Sequence, residues 1–251
     1  MFFLNKSKTN YIPHFSFLEF DMHNHVLNGL DDGAKSNVES VELLQGLFSL
    51  GFKRIVATPH TMSSLYPNTK SAIEQAYHQL KEHIAGTKIH TALTGYASEY
   101  FLDDTFSDLR IKNQLLPFYT NHVLIEMSYL ALSPNLEQEI FELQLANYQP
   151  VLAHPERYMY LSGDIAYIES LVAKGCQLQL NLLSLTNQYG KVTTQTARKL
   201  LDRGLYEWAG TDTHHIGHLN LLKDLMWSRA GKELVQYPNF LNKSAGESFS
   251  Q

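Results

Sequence analysis

Seven short, apolar, β-rich runs alternate with helix-like segments along this chain of 251 residues. The runs fall at residues 17–23, 53–58, 88–95, 122–127, 149–153, 176–181 and 206–209. They are too short and too internally apolar for a half-exposed antiparallel sheet, so the alternation predicts an α/β fold with parallel strands. Helices are expected from a cap at Asn37 to Gly51, over 70–84, from Ser133-Pro134 onward, and over 164–174, 193–202 and 217–230. Gly51, Gly175 and Gly204 stand where a helix stop belongs. A closed (β/α) barrel and an open doubly wound sheet both satisfy this pattern. No G-x-G-x-x-G loop occurs, which disfavours a dinucleotide-binding version of the open sheet.

Composition narrows the function. Hydrophobic residues make up 44% of the chain, enough for a core. The net charge of −5, without any Lys or Arg run, disfavours nucleic acid as a partner. A single cysteine, Cys176, excludes internal disulfides and Cys-rich zinc sites, and a buried inert thiol is expected there. No apolar run suits a membrane helix and no export signal is read at the start, so a cytoplasmic protein without membrane insertion is expected. The twelve histidines are the excess that points to chemistry.

Their placement is ordered. The first run ends in Asp21, His23 and His25, followed by Asp31-Asp32-Gly33. The second ends in His60, Glu99 follows the third, and Glu126 lies in the fourth. The fifth ends in His154-Pro155-Glu156-Arg157, and the seventh in Asp212 and His214. All six clusters sit at the same end of their strands, which in a closed α/β barrel form one face. His23 and His25 are two apart, so on an extended chain both imidazoles point the same way. Buried imidazoles and carboxylates packed together are costly without cations, so the set is expected to bind metal. His14, His78, His83, His90 and His122 are expected to have ordinary surface or core roles. His215 and His218 flank the last cluster, and the residues leave open whether they have an ordinary role or one near a substrate.

These blocks, in this order, resemble the PHP (polymerase and histidinol phosphatase) superfamily: D-x-H-x-H, T-P-H, an isolated Glu, A-H-P-E-R and a final D-x-H. More closely, DMHNHVLNGLDDGAKS, ATPH, SEYFLDD, VLIEMSY, VLAHPERY and GTDTHH resemble bacterial manganese-dependent protein-tyrosine phosphatases acting on tyrosine autokinases of capsule and exopolysaccharide biosynthesis. The resemblance spans residues 21–214. It implies a single-domain distorted TIM-like (β/α)7 barrel over 21–240; the residues themselves read as an appended N-terminal arm (1–20), longer than the family's usual start, and a small polar tail (241–251) expected to be mobile.

It also implies three divalent metal ions, manganese first, with iron or zinc as alternatives. His23, His25, Glu99 and Asp212 would hold one ion. Glu99, Glu126 and His154 would hold the second, and Asp32, His60 and His214 the third. Arg157 matches a phosphate-binding arginine. A second arginine common after the final D-x-H is missing, and His218 is the candidate to replace it. The implied reaction is attack of metal-bound hydroxide on phosphorus, with Arg157, Glu99 and Asp212 as catalytic residues. The implied partner is a phosphotyrosine-bearing protein, a bacterial tyrosine autokinase. A histidinol-phosphatase-type monoesterase is the alternative on the same scaffold. A phosphodiesterase or exonuclease is disfavoured by the charge, and a relic, non-catalytic metal site by the intact ligand set.

Overall fold

The computed structural model describes residues 14–249. The strands are β1 (Phe20–Asp21), β2 (Arg54–Ala57), β3 (His60–Thr61), β4 (Leu93–Tyr96), β5 (Glu99–Phe101), β6 (His122–Glu126), β7 (Gln149–Ala153), β8 (Gln177–Asn181) and β9 (Trp208–Gly210). Each pairing between these strands is parallel. They form a three-stranded sheet, β1-β2-β4, and a six-stranded sheet, β3-β5-β6-β7-β8-β9. Pro59 separates β2 from β3, yet backbone bonds from Ala97 to Ala57 (2.7 Å) and from Glu99 to Pro59 (3.1 Å) carry the pairing across the break. The molecule is therefore a mixed α/β single domain built on a curled, half-barrel parallel sheet.

The helices are α1 (Asn37–Ser49), α2 (Lys70–His83), α3 (Lys88–Ala92), α4 (Phe106–Ile111), α5 (Leu136–Leu145), α6 (Ile165–Ala173), α7 (Gly190–Asp202), α8 (Ile216–Trp227), α9 (Arg229–Leu234) and α10 (Asn242–Ser248). Ser36, not Asn37, caps α1, its hydroxyl accepting the Glu39 N–H. The stretch 88–95 is not one strand. Its first half is α3, because Ile89 and Ala92 are buried one helical turn apart, and the strand begins at Leu93. Similarly, 17–23 shrinks to β1. Glu19 takes a left-handed φ of 64°, and the chain before it forms a 3₁₀ turn, Phe15–Phe17.

Of the expected N-terminal arm, residues 1–13 lie outside the described residues. The remainder packs inward, with buried Phe15 stacked on Phe52 at 5.4 Å between ring centroids. The expected mobile tail is corrected over 242–248, which form α10; residues 250–251 lie outside the described residues. Asn242 holds it. Its Nδ2 donates to the Phe20 carbonyl (2.9 Å) and the Ala209 carbonyl (2.7 Å), and its Oδ1 accepts the Ala209 N–H (2.9 Å). Phe249 then meets Phe20 edge-on at 5.3 Å, and Phe118 meets Trp208 at 5.0 Å. This aromatic cluster fills the end of the sheet where β1 and β9 begin, and leaves the opposite, C-terminal end for chemistry.

Candidate metal centre

The ionisable residues singled out in the sequence gather at the end of the sheet toward which β1, β6, β7 and β9 run. His23 and His25 follow β1 on extended backbone that runs beside the chain after β9. The Asp212 N–H donates to the His23 carbonyl (2.7 Å), and the His25 N–H to the Thr213 carbonyl (3.0 Å). His60 opens β3, Glu99 opens β5 and Glu126 closes β6. His154 and Asp212 follow β7 and β9 with left-handed φ of 35° and 50°, conformations that non-glycine residues adopt at a cost. There they turn their side chains toward the neighbouring strand ends. Asp31, Asp32 and Gly33 come from the loop before α1. A Cβ on Gly33 would lie 2.2 Å from the His25 carbonyl, so only glycine lets this loop come so near.

Glu99 is central. Its Oε2 lies 3.0 Å from His23 Nε2 and 3.1 Å from His60 Nδ1, and its Oε1 lies 2.9 Å from His154 Nε2. Asp212 Oδ1 lies 3.2 Å from His25 Nε2 and 3.4 Å from His23 Nε2. Glu126 Oε1 lies 2.7 Å from His60 Nδ1. Asp32, with a side chain 54% exposed, lies 3.6 Å from His60 and 3.5 Å from His214. Three groups have ligand atoms all within 4.8 Å of one another: His23, His25, Glu99 and Asp212; His60, Glu99 and Glu126; and His25, Asp32, His60 and His214. His154 stands beside the second group rather than in it. His60 is shared by the second and third groups, and His25 by the first and third.

These residues fit divalent ions. Glu99 Oε2, Glu126 Oε1 and His60 Nδ1 are buried and crowd one another without the angles of a hydrogen bond. Ligand atoms aimed at a common centre behave in this way. A nitrogen and oxygen set without sulfur suits manganese, iron or zinc.

Within the cluster the carboxylates and imidazoles shift one another's protonation. Burial alone would lower His60, but Glu126 and Glu99 outweigh it and raise it to about 9. Burial also opposes the charge on Glu99 and Asp212, yet His23 and its neighbours hold both carboxyls well below the ordinary range. Burial and the Glu99 charge push Glu126 the other way, upward.

A surrounding layer of residues orients these side chains. Asp31 Oδ2 lies 2.8 Å from His25 Nδ1 and accepts the His60 N–H at 2.9 Å. Gln179 Oε1 lies 2.9 Å from His23 Nδ1, and Asn181 Nδ2 donates to Asp212 Oδ2 at 2.6 Å. Such partners fix the ring orientation and tautomer of a metal-binding histidine. Gln179 and Asn181 carry no charge, so a search for ionisable strand ends passes over them. Their signal is the alternation Gln177-Leu178-Gln179-Leu180-Asn181, with amides on an otherwise apolar strand.

Arg157 lies in a 3₁₀ turn, Pro155–Arg157, and its Nη1 donates to Asp212 Oδ2 at 2.8 Å. Glu156 anchors that turn, accepting from the Asn181 N–H (3.0 Å), the Ser184 hydroxyl (2.7 Å) and the Tyr206 hydroxyl (2.9 Å). His218 Nδ1 accepts the His214 N–H at 3.3 Å, which leaves Nε2 to carry the ring proton. Burial, with His215 and His214 alongside, lowers His218 to about 4, so near neutral pH it offers a neutral donor rather than a cation. Arg157, His218, His214, Glu126 and Tyr66 are among the residues lining a cavity of about 680 Å³. Cys176 is buried, and burial pushes its thiol up to about 12.

Comparison with known proteins identifies relatives of this arrangement. A family model described as capsular polysaccharide synthesis, CpsB/CapC, matches residues 19–223. The tyrosine-protein phosphatase YwqE of Bacillus subtilis is 30% identical over 197 residues, covering 78% of this chain and 77% of that protein. The tyrosine-protein phosphatase CpsB of Streptococcus pneumoniae is 27% identical over 202 residues, covering 78% and 83%. One solved chain, from work on YwqE and CpsB as metal-dependent tyrosine phosphatases, superposes with a TM-score of 0.78 at 27% identity, covering 92% of each chain.

Proposed function

We infer the activity of this chain from one premise: it belongs to the CpsB/CapC family of capsular polysaccharide synthesis. It is a metal-dependent tyrosine-protein phosphatase, a phosphoric monoester hydrolase. Beyond that, we propose that it binds three divalent ions, manganese foremost. The ligands we assign are His23, His25, Asp32, His60, Glu99, Glu126, His154, Asp212 and His214, with Glu99 shared between ions. We also read the curled sheet as a closed seven-stranded barrel, with β2 and β3 as one interrupted strand and β4 and β5 as another. The parallel bridge between Asn24 and Thr213, with its flanking backbone bonds, supports this by returning the last strand to the first. The substrate we propose is phosphotyrosine on a tyrosine autokinase.

The ions, when bound, supply positive charge for the phosphate and make deprotonation of a water accessible near neutral pH. The chain supplies the rest. Arg157 presents N–H donors to the non-bridging oxygens as negative charge builds on them. Its bond to Asp212 keeps that guanidinium beside the ligand cluster. His218 offers a neutral N–H from the place where the sequence lacks a second arginine. Tyrosine is a tolerable leaving group because a phenolate has a pKa of about 10. Tyr66, Phe101, Leu65 and Leu130 line the cavity and give a phenyl ring an apolar wall.

One observation carries this reading: side chains from separate strand ends, spread from His23 to His214, meet beside Arg157 at one open cavity. The test is chelation, add-back of single ions, and turnover of a phosphotyrosine peptide beside histidinol phosphate. We expect an inactive stripped protein, recovery with manganese, and preference for the peptide. Full activity in the stripped protein defeats the metal assignment, and preference for histidinol phosphate defeats the substrate assignment.

A further inference from the structure

Arg157 is the one cation that the proposed reaction takes from the chain, and an arginine side chain left to itself is flexible. Here it is not left free. Its Cζ lies 4.1 Å from the centroid of the Tyr189 ring and 4.7 Å from that of the Tyr129 ring. Tyr129 in turn stacks on His154 at 5.9 Å, with 26° between ring planes. Tyr189, at the N-terminal edge of α7, is tied back by its hydroxyl, which accepts from Asn181 Nδ2 at 3.4 Å. The same Asn181 amide holds Asp212, the carboxylate that pairs with Arg157. Three groups converge on one guanidinium, two rings and a carboxylate, and the Asn181 amide braces the carboxylate and one of the rings.

We propose that Tyr129 and Tyr189 are positioning residues that clamp Arg157 so that one N–H edge meets the substrate phosphate; this rests on the phosphatase reading above. Aromatic faces attract a guanidinium and are indifferent to its in-plane hydrogen bonds. Asp212 takes one Nη1–H, and Arg157 lines the cavity, so its remaining N–H groups are the ones available to a phosphate there. A guanidinium held in this way loses less rotamer freedom when the phosphate arrives, so more of the interaction appears as binding. This suits a chain that has no arginine between His214 and Arg229 to share the phosphate.

The test uses the full chain loaded with magnesium or zinc for NMR and with manganese for kinetics. The variants are Tyr129→Phe, Tyr189→Phe, Tyr129→Leu and Tyr189→Leu, each also combined with Arg157→Ala, with metal content measured throughout. The leucine variants should raise KM for an aryl phosphate and the inhibition constant for inorganic phosphate by about five- to thirtyfold, the range of a partly desolvated cation–π contact. The phenylalanine variants, which keep the ring face, should stay within about twofold of wild type on that same contact. In the Arg157→Ala background the leucine changes should add nothing, because rings that act through Arg157 have nothing left to hold. The Arg157 Nε–H order parameter should fall in the leucine variants and not in the phenylalanine ones, a readout that needs no turnover. Additive losses, equal losses in Phe and Leu variants, or an unchanged order parameter each overturn the clamp. An absence of phosphatase activity with an intact order-parameter pattern would instead overturn the reaction assigned to the site, and leave the clamp standing.

Discussion

A Cβ on Gly210 would lie 2.5 Å from that of His23, so β9 passes the cluster only because it ends in glycine. The same economy of space makes the neighbours that orient the candidate ligands decisive. Asp31→Ala removes the acceptor that orients both His25 and the His60 backbone. Metal affinity should drop about 10–100-fold, the usual cost of losing such a partner, as read by titration of stripped protein with manganese. The protonation of His60 sets a pH dependence. Its pKa in the folded, ion-free chain is about 9, above its unfolded value of 6.5. Its contribution to ion-free stability is therefore complete below pH 6.5 and is lost as pH rises through about 9. An ion needs the neutral ring, so metal binding moves the opposite way and tightens across that window, by up to about tenfold per pH unit for one displaced proton. Thermal melts of chelated protein and manganese titrations, both run from pH 6.5 to 9, check the two opposed slopes. Flat profiles in both would remove His60 from the centre.

At the level of elements, the strands at 122–126, 149–153 and 177–181 fall where their apolar runs lie. Their signal is local, and each is bounded by turn or helix residues. The failures are also local in cause. Within 88–95, threonine and isoleucine argue for a strand, but burial of Ile89 and Ala92 on one side of a turn decides for helix over the first five residues. The tail reads as small and polar, and composition does not reveal that Asn242 takes the backbone groups of two strands. Removing that side chain should strand the Phe20 carbonyl and both polar groups of Ala209 in a buried place. We expect Asn242→Ala to cost about 2–4 kcal/mol, since each stranded group costs about 1–3 kcal/mol and some relax or find water. Urea unfolding measures this, and a change under 0.5 kcal/mol, the ordinary scatter of surface substitutions, would mean that α10 docks by other means.

Across the whole molecule, the candidate ligands tie the first strand to the last, with His23 beside Asp212. Ions that bind only the folded chain should therefore stabilise it as a unit. At free manganese about a hundredfold above its dissociation constant, each site adds about 2.7 kcal/mol. For a chain of this size that raises Tm by about 5–10 °C per ion. Differential scanning calorimetry with and without chelator tests it, and coincident melts would argue that the cluster holds no ion in solution. The cluster's location at the C-terminal strand ends follows from the topology, since a curled parallel sheet brings those ends together and leaves the loops free to vary. The fold class and the gathering of imidazoles and carboxylates were legible in residue order alone, because strand period, helix stops and ionisable strand ends are all short-range features. Folding alone established how His25 and His60 are shared among groups, which amides orient them, and what brackets Arg157. Those relations join positions as far apart as His25 and His214, and many of the partners carry no charge that a linear reading can single out. Packing distance and direction, rather than residue type, are what distinguish them.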